Sequence, residues 1–522
     1  MSGAMKPEFT LLSEMMRDRA AAYGAKAALR FLDRETSYAQ LYERTLQVAA
    51  ALLRAGVNPG DRVVYLAHNS SEYYEILLGA ASMGAVLVPI NSRLADPEIA
   101  VILHDAQARI LIYGSQFRDR LAQITGSGAP LSKRVSLVDE YPDWRDAHEP
   151  EEVQATVRPD DVALQLYTSG TTGVPKGAML SHRALLAFRS LRSQDQPQWN
   201  RWTDDDVSLI FMPQFHLSGM GFGLQTLCAG ATGHVLTEFD PENILDLIQY
   251  QGLSKIFAVP SALKMLLQHP RARGVDYRRI RTVVYGASPI PLDLLKEALD
   301  VFKCGFVQQY GTTETGGAAS ALLPEDHDPN GSGRMRSAGR ALPDVDIRIA
   351  DPNGRWLPTG EVGEIAVKSP ALMQGYWHMP EATRAVMIHD GYFLTGDAGY
   401  MDADGYLYIH DRIKDLIVSG GENVYPAEVE AALSSHPDIR DVAIIGVPDD
   451  KWGEAVKAIV VLAEGATLAP KEIISWARTR IAGYKLPKSI DFVAALPRNP
   501  SGKLLRKNLR EPFWKGFDRK VN

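Results

Sequence analysis

The sequence predicts an α/β protein of several units. A large N-terminal domain has two α/β parallel-sheet subdomains plus a small β-rich subdomain, and a small α+β C-terminal domain follows. Three observations carry that expectation. The chain has 522 residues, too many for one hydrophobic core when units of roughly 150 residues are usual. Strand-like and helix-like apolar patterns alternate from residue 11 to 123 and again from 207 onward, as in parallel sheets covered on both faces. After Ser337 the alternation gives way to short strand patterns separated by Gly, Pro and Asp, the mark of a β-rich subdomain.

In chain order, Ala28–Phe31 reads as a strand and Ser37 as the cap of a helix over 38–56, followed by the strand Arg62–Leu66. The uncharged stretch 76–92 contains Gly79, Gly84 and Pro89 and is shorter than the roughly twenty apolar residues of a membrane helix. It is expected to be a helix end, a turn at Gly84 and a buried strand over 85–90. A helix over 96–105 and a strand over 108–113 complete the first series. The polar segment 126–160, with prolines at 130, 142, 150 and 159, reads as a connection into an apolar strand over 161–166. Arg281–Tyr285 and Phe306–Gln309 are strands of the second series. Val345–Ile349, Gly363–Val367 and Tyr392–Phe393 belong to the β-rich part. The last unit begins near Asp415, with a helix over 426–434 and strands over 441–447 and 456–462.

The composition, 45% hydrophobic and 23% charged with a net charge of −7, fits a soluble globular protein and gives no electrostatic footprint for nucleic acid. Two cysteines, Cys228 and Cys304, build neither a disulfide framework nor a zinc site, and read as small core residues. With no apolar signal core at the start and no transmembrane segment, a cytoplasmic protein is expected. Arg189, Arg192 and Arg201 beside Trp199 and Trp202 leave loose membrane contact open, with a solvated face as the alternative. The oligomeric state, a homodimer included, stays open.

The densest chemistry lies at 167–177, Tyr-Thr-Ser-Gly-Thr-Thr-Gly-Val-Pro-Lys-Gly. Its glycines let a ligand approach the backbone, while Thr168, Ser169, Thr171 and Thr172 add hydroxyls and Lys176 a cation, which suits a polyphosphate. The spacing Gly170-x-x-Gly173-x-Pro-Lys176 is neither a P-loop nor a Rossmann fingerprint. Further on come Pro213-Gln-Phe-His216, Gly286-Ala-Ser-Pro-Ile290, Tyr310-Gly-Thr-Thr-Glu314, Thr395-Gly-Asp397 with Arg412, and Pro500-Ser-Gly-Lys503. A glutamate at a strand end suits magnesium, which favours one or two carboxylates with phosphate oxygens and waters.

These six motifs, in this order from about residue 20 to the end, resemble the adenylate-forming superfamily of acyl-CoA synthetases, peptide-synthetase adenylation domains and firefly-type luciferases. The segments Ser419–Glu428 and Lys451–Glu454 look most like fatty-acyl or aryl-acyl CoA ligases. The resemblance implies ATP, Mg2+ and coenzyme A as co-substrates and cofactor, and a two-step conversion of a small carboxylic acid into a thioester through an acyl-adenylate. It implies ATP-binding roles for Thr168, Ser169, Gly170, Thr171, Thr172, Gly173, Lys176, Gly286, Ala287, Ser288, Gln309, Tyr310, Gly311, Thr312 and Thr313, with Asp397 and Arg412 on the ribose. Glu314 would hold the metal and Lys503 would carry the adenylation step.

His216 is implied as a gate between acid and thiol. Leu217, Gly219, Met220, Gly286, Gly311, Gly316 and Gly317 are implied around the acyl group, and the small residues Gly219, Gly221, Gly286, Gly316 and Gly317 suggest room beyond acetate. Ser419, Gly420, Gly421 and Glu422 are expected on the CoA side. The division expected is 1–411, a hinge 412–415 with Lys414 at its centre, and a mobile domain 416–522. An apolar acid is expected, because Leu217-Ser-Gly-Met220 offers no aspartate for an ammonium. A carrier protein as acceptor and a catalytically dead binding protein are the alternatives.

Overall fold

The computed structural model describes residues 7–125, 131–169, 175–191, 196–328, 333–412, 415–419, 422–449, 452–498 and 504–515. The chain forms two compact units, one of residues 1–347 with 367–393 and one of 348–366 with 394–522.

The first unit holds two sheets. In the seven-stranded sheet Val162–Ser169, Val86–Pro89, Arg62–Leu66, Ala108–Tyr113 and Lys133–Ser136 run parallel, with Pro175–Ser181 and Gly375–Tyr376 added antiparallel at one edge. The nine-stranded sheet centres on the parallel strands Thr232–Val235, Val207–Ile210, Lys255–Ala258, Thr282–Gly286 and Gly305–Thr312. Leu29, Val63, Leu164 and Leu224, drawn from both sheets and their helices, share one buried core. Arg62–Leu66, Val86–Pro89 and Ala108–Tyr113 are near-continuous buried apolar runs, as two-sided burial requires, while the edge strand Lys133–Ser136 is half exposed.

Local signals set most boundaries. Ser37 accepts from the Gln40 backbone N–H at 3.2 Å while Gln40 Oε1 accepts from the Ser37 N–H at 2.9 Å, a capping box that starts Tyr38–Arg54. Gly84, at φ 79°, turns the chain from Glu72–Ser82 into Val86–Pro89.

Four expectations need correction. Ala27–Phe31 joins the other sheet, parallel to Thr232–Val235, because periodicity identifies a strand but not a partner two hundred residues away. The connection 126–160 contains the strand Lys133–Ser136 and the helix Tyr141–Asp146, too short to show a period. The segment that reads as a loop before Ser181 holds the strand Pro175–Ser181, whose opening proline and glycine carry no strand signal. Finally, Trp202 is only 4% exposed and the Arg189 guanidinium bonds the carbonyls of Leu185, Gly221 and Gly316. These two side chains turn inward, whereas Arg201 is exposed and Trp199 partly so, which leaves the solvated face to them; Arg192 lies outside the described residues.

In the second unit, Glu422–Val424, Ile417–Ser419, Gly453–Leu462 and Ile439–Asp449 form a sheet that Ser489–Phe492 extends. The helices Pro426–Ser434 and Pro470–Arg478 cover it through Val429, Leu433 and Ile473, a small α+β arrangement. The β-rich stretch is also observed, with strands Asp346–Ala350, Gly363–Lys368, Tyr392–Met401 and Leu407–Arg412. Among the described residues no helix is long and apolar enough to cross a membrane.

Candidate active site

Two hairpins of the first unit build the site. In the first, Val162–Ser169 pairs with Pro175–Ser181, setting Thr168 opposite Lys176 and Ser169 opposite Pro175. The two ends of the polar segment are thus paired, and Ser181 then caps the short helix His182–Leu186 by accepting from Ala184 N–H at 3.2 Å. Gly170, Thr171, Thr172 and Gly173 lie outside the described residues. In the second hairpin, Gly305–Thr312 pairs with Gly317–Leu322 and bulges between Tyr310 and Gly311. Thr315, fully buried, locks its turn: Thr315 Oγ1 accepts from Thr312 N–H at 2.8 Å and donates to Gly317 O at 2.7 Å.

That turn carries Glu314 to the first hairpin. Glu314 Oε1 accepts from Thr168 Oγ1 at 3.3 Å and from Tyr376 Oη at 3.0 Å, while Lys176 Nζ lies 5.0 Å from the Tyr376 ring centroid. Tyr376 is fixed by its own pairing with Ala178. Thr168 and Lys176 of one motif and Glu314 of another are therefore brought together, and Tyr376 and Thr315 are additions. Neither addition stood out in the sequence. A tyrosine after glycine and a threonine in a threonine-rich turn are common, and only the fold aims them here.

Both hydroxyls converge on Oε1, and no described residue bonds Oε2. A hard cation that takes one carboxylate oxygen and completes its shell with phosphate and water fits that arrangement. No described group of three or more His, Cys, Asp or Glu could hold a metal without such help.

Thr282–Gly286 ends at the same carboxyl edge of its sheet as Gly305–Thr312, where ligands of α/β sheets bind. Ala287, exposed, has φ 65°, a left-handed conformation costly for a residue with a Cβ and often retained for function. Ser288 is exposed beside it, whereas Gln309, Tyr310, Thr312 and Thr313 are partly buried.

His216 precedes the helix Leu217–Cys228 and its ring packs against Phe215 at 4.7 Å. Burial, reinforced by the nearby Arg93 charge, pushes its pKa down to about 4, so the ring is neutral near pH 7. The glycines are filled differently from the expectation of open space. A Cβ at Gly219 would stand 2.2 Å from Met212 O, at Gly286 2.3 Å from Gln309 O, at Gly311 1.8 Å from Gly317 O and at Gly316 2.1 Å from Ala371 O. Their smallness lets backbones touch.

In the second unit Asp397 is 5% exposed and stands opposite Arg412 on the paired strand. Thr395 Oγ1 donates to Ile365 O at 2.9 Å and accepts from Asp397 N–H at 3.1 Å, and Glu364 Oε1 accepts from Gly396 N–H at 2.9 Å. Burial raises the Glu364 pKa, helped by the Asp397 charge, against the Gly396 hydrogen bond. Ser419 is buried opposite Glu422. Lys503, Lys414, Gly420 and Gly421 lie outside the described residues.

Known proteins resemble this chain along most of its length. The family of AMP-binding enzymes matches residues 16–377, and its C-terminal domain matches 428–503. A fatty acid–[acyl-carrier-protein] ligase, ScoC of Streptomyces coeruleorubidus, is 42% identical over 94% of this chain and 94% of its own. A feruloyl-CoA synthase from an Amycolatopsis species is 40% identical over 91% of this chain and 94% of its own. The crystal structure of ATP-bound MatB from Rhodopseudomonas palustris superposes with a TM-score of 0.87 at 33% identity, covering 97% of this chain and 99% of that one. The chain belongs to the AMP-binding, adenylate-forming enzyme family. It is an AMP-forming acid–thiol ligase, of the group that contains acyl-CoA and acyl-carrier-protein ligases.

Proposed function

We propose that this enzyme joins an apolar carboxylic acid, a medium- or long-chain fatty acid or an aryl or cyclic acid, to coenzyme A at the expense of ATP. The observation that carries the reading is the meeting of Thr168, Lys176 and Glu314 across two hairpins. A cation, a hydroxyl and a carboxylate grouped beside a glycine-rich segment suit the polyphosphate of a nucleotide.

The acid's carboxylate oxygen attacks the α-phosphorus of ATP and pyrophosphate leaves; a thiolate then attacks the acyl carbonyl and AMP leaves. Lys176 and the hydroxyls of residues 168–172 hold the terminal phosphates. Glu314 would hold Mg2+, which supplies charge neutralisation on the phosphates. Gly286, Ala287, Ser288 and residues 309–313 border the nucleotide, while Asp397 and Arg412 take the ribose hydroxyls. Lys503 stabilises the charge that develops during adenylation. The depressed pKa of His216 supports a neutral gate between acid and thiol rather than a charged clamp. Residues 412–415 act as a hinge between 1–411 and 416–522, the latter bringing Ser419 to Glu422 to the CoA side.

The test is pyrophosphate release with MgATP across acids from acetate to palmitate, benzoates and cinnamates, with CoA-thioester formation followed in parallel. A CoA thioester from one class establishes acceptor and substrate together. A second reading, transfer to a carrier protein, is favoured by the acyl-carrier-protein ligase among the relatives. Pyrophosphate release with no CoA thioester, and acylation of a phosphopantetheinyl carrier, would replace the first reading with the second.

A further inference from the structure

Arg189 is a cation that the two-step reaction leaves unused. It follows the helix His182–Leu186 and donates from Nε to Gly221 O at 3.2 Å, from Nη1 to Leu185 O at 2.9 Å and from Nη2 to Gly316 O at 3.2 Å. A guanidinium has five N–H donors, so one on Nη1 and one on Nη2 remain. No described carboxylate pairs with it, whereas the buried Arg145 is held by Glu75 and Asp146. Burial lowers the Arg189 pKa, yet arginine stays charged at neutral pH. An enclosed cation with only carbonyls around it carries a desolvation cost that those carbonyls offset in part.

Its position gives that charge a use. A Cβ at Gly221 would stand 2.7 Å from Arg189 Nη2, and one at Gly317 3.1 Å from the same atom. Nη2 therefore lies between the helix headed by His216 and the turn that carries Glu314. Arg189 and His216 are both partly accessible, and Nη2 stands beside Gly221, Gly316 and Gly317, the last two among the residues expected around the acyl group.

We propose that Arg189 is a specificity residue at the remote end of the acyl pocket. Its two remaining N–H groups receive an oxygen acceptor, best a second carboxylate, carried by the acid at the end away from its reacting carboxylate. The inference rests on the proposed function and sharpens it: the body of the acid is apolar and its far end is not. A methyl-ended chain would leave two N–H donors and a charge against hydrocarbon, which is the more costly arrangement.

The experiment compares kcat/KM for pyrophosphate release between linear monocarboxylic acids and α,ω-dicarboxylic acids of equal length, about four to twelve carbons, and between 3-phenylpropanoate and its 4-carboxy and 4-hydroxy derivatives. At the best length the oxygen-ended acid is expected to win by about tenfold to a hundredfold. R189M is expected to erase or reverse that ratio, and R189K to retain part of it. Preference for the methyl-ended acid at every length in the unmodified enzyme would overturn the inference, as would an unchanged ratio in R189M. If R189M does not fold, the unmodified enzyme's ratio decides alone. Silence on every acid would overturn this inference and the proposed function together, whereas turnover without preference overturns this inference only.

Discussion

Glu314 concentrates the chemistry expected of the site into one side chain, so its replacement is the sharpest single-residue test. Glu314→Gln keeps the size and the acceptor oxygen for Thr168 and Tyr376 but removes the charge. Its kcat/KM for pyrophosphate release is expected to fall by about a hundredfold to a thousandfold, with a higher Mg2+ requirement in a titration. Tyr376→Phe removes one hydroxyl that orients the carboxylate and is expected to cost about tenfold.

His182 offers a test of stability. It is fully buried, accepts the Leu12 backbone N–H on Nδ1 at 3.2 Å and has no partner on Nε2, and burial pushes its pKa from 6.5 down to about 4. The unfolded chain takes up a proton that the folded chain refuses, so stability is full above pH 6.5 and lost as pH falls toward 4. Thermal unfolding followed between those pH values should show a shallower pH dependence for His182→Gln than for the parent enzyme.

At the scale of elements, close approach is fixed by glycine in the helix Leu217–Cys228. A Cβ at Gly223 would stand 1.7 Å from the hydroxyl of the fully buried Tyr74, so Gly223→Ala is expected to lower stability by about 3 kcal/mol, read as a drop in Tm of several degrees. Thr315→Val keeps the shape but removes the hydroxyl that ties Thr312 to Gly317; pyrophosphate release should weaken more than thermal stability, because Glu314 loses its placement. Elements with strong local signals were legible in the sequence. Arg62–Leu66, Asp96–Asp105, Ala108–Tyr113 and Pro426–Ser434 occur at the boundaries expected. Pro175–Ser181 was not legible, since its place in the sheet comes from pairing with Val162–Ser169 and not from its own residues.

For the whole molecule, the proposed hinge gives a test that separates the two half-reactions. Proline fixes φ and opposes the large backbone change a hinge must absorb, so Lys414→Pro is expected to keep acyl-adenylate formation and lose thioester formation. Pyrophosphate and thioester measured in one reaction decide it, and normal thioester release would remove Lys414 from that role. The sequence by itself determined the strands and helices with clear periodicity or caps, the polar motifs and the family they resemble, because these reside in short stretches of neighbouring residues. Only the tertiary structure decided that Ala27–Phe31 joins the sheet of Thr232–Val235, that Tyr376 reaches Glu314, and that Arg189 turns inward beside Gly221 and Gly316. Those facts depend on pairing and packing between segments far apart in the chain, where the choice of partner is set by the burial and hydrogen bonding of the whole core and not by the pattern of either segment.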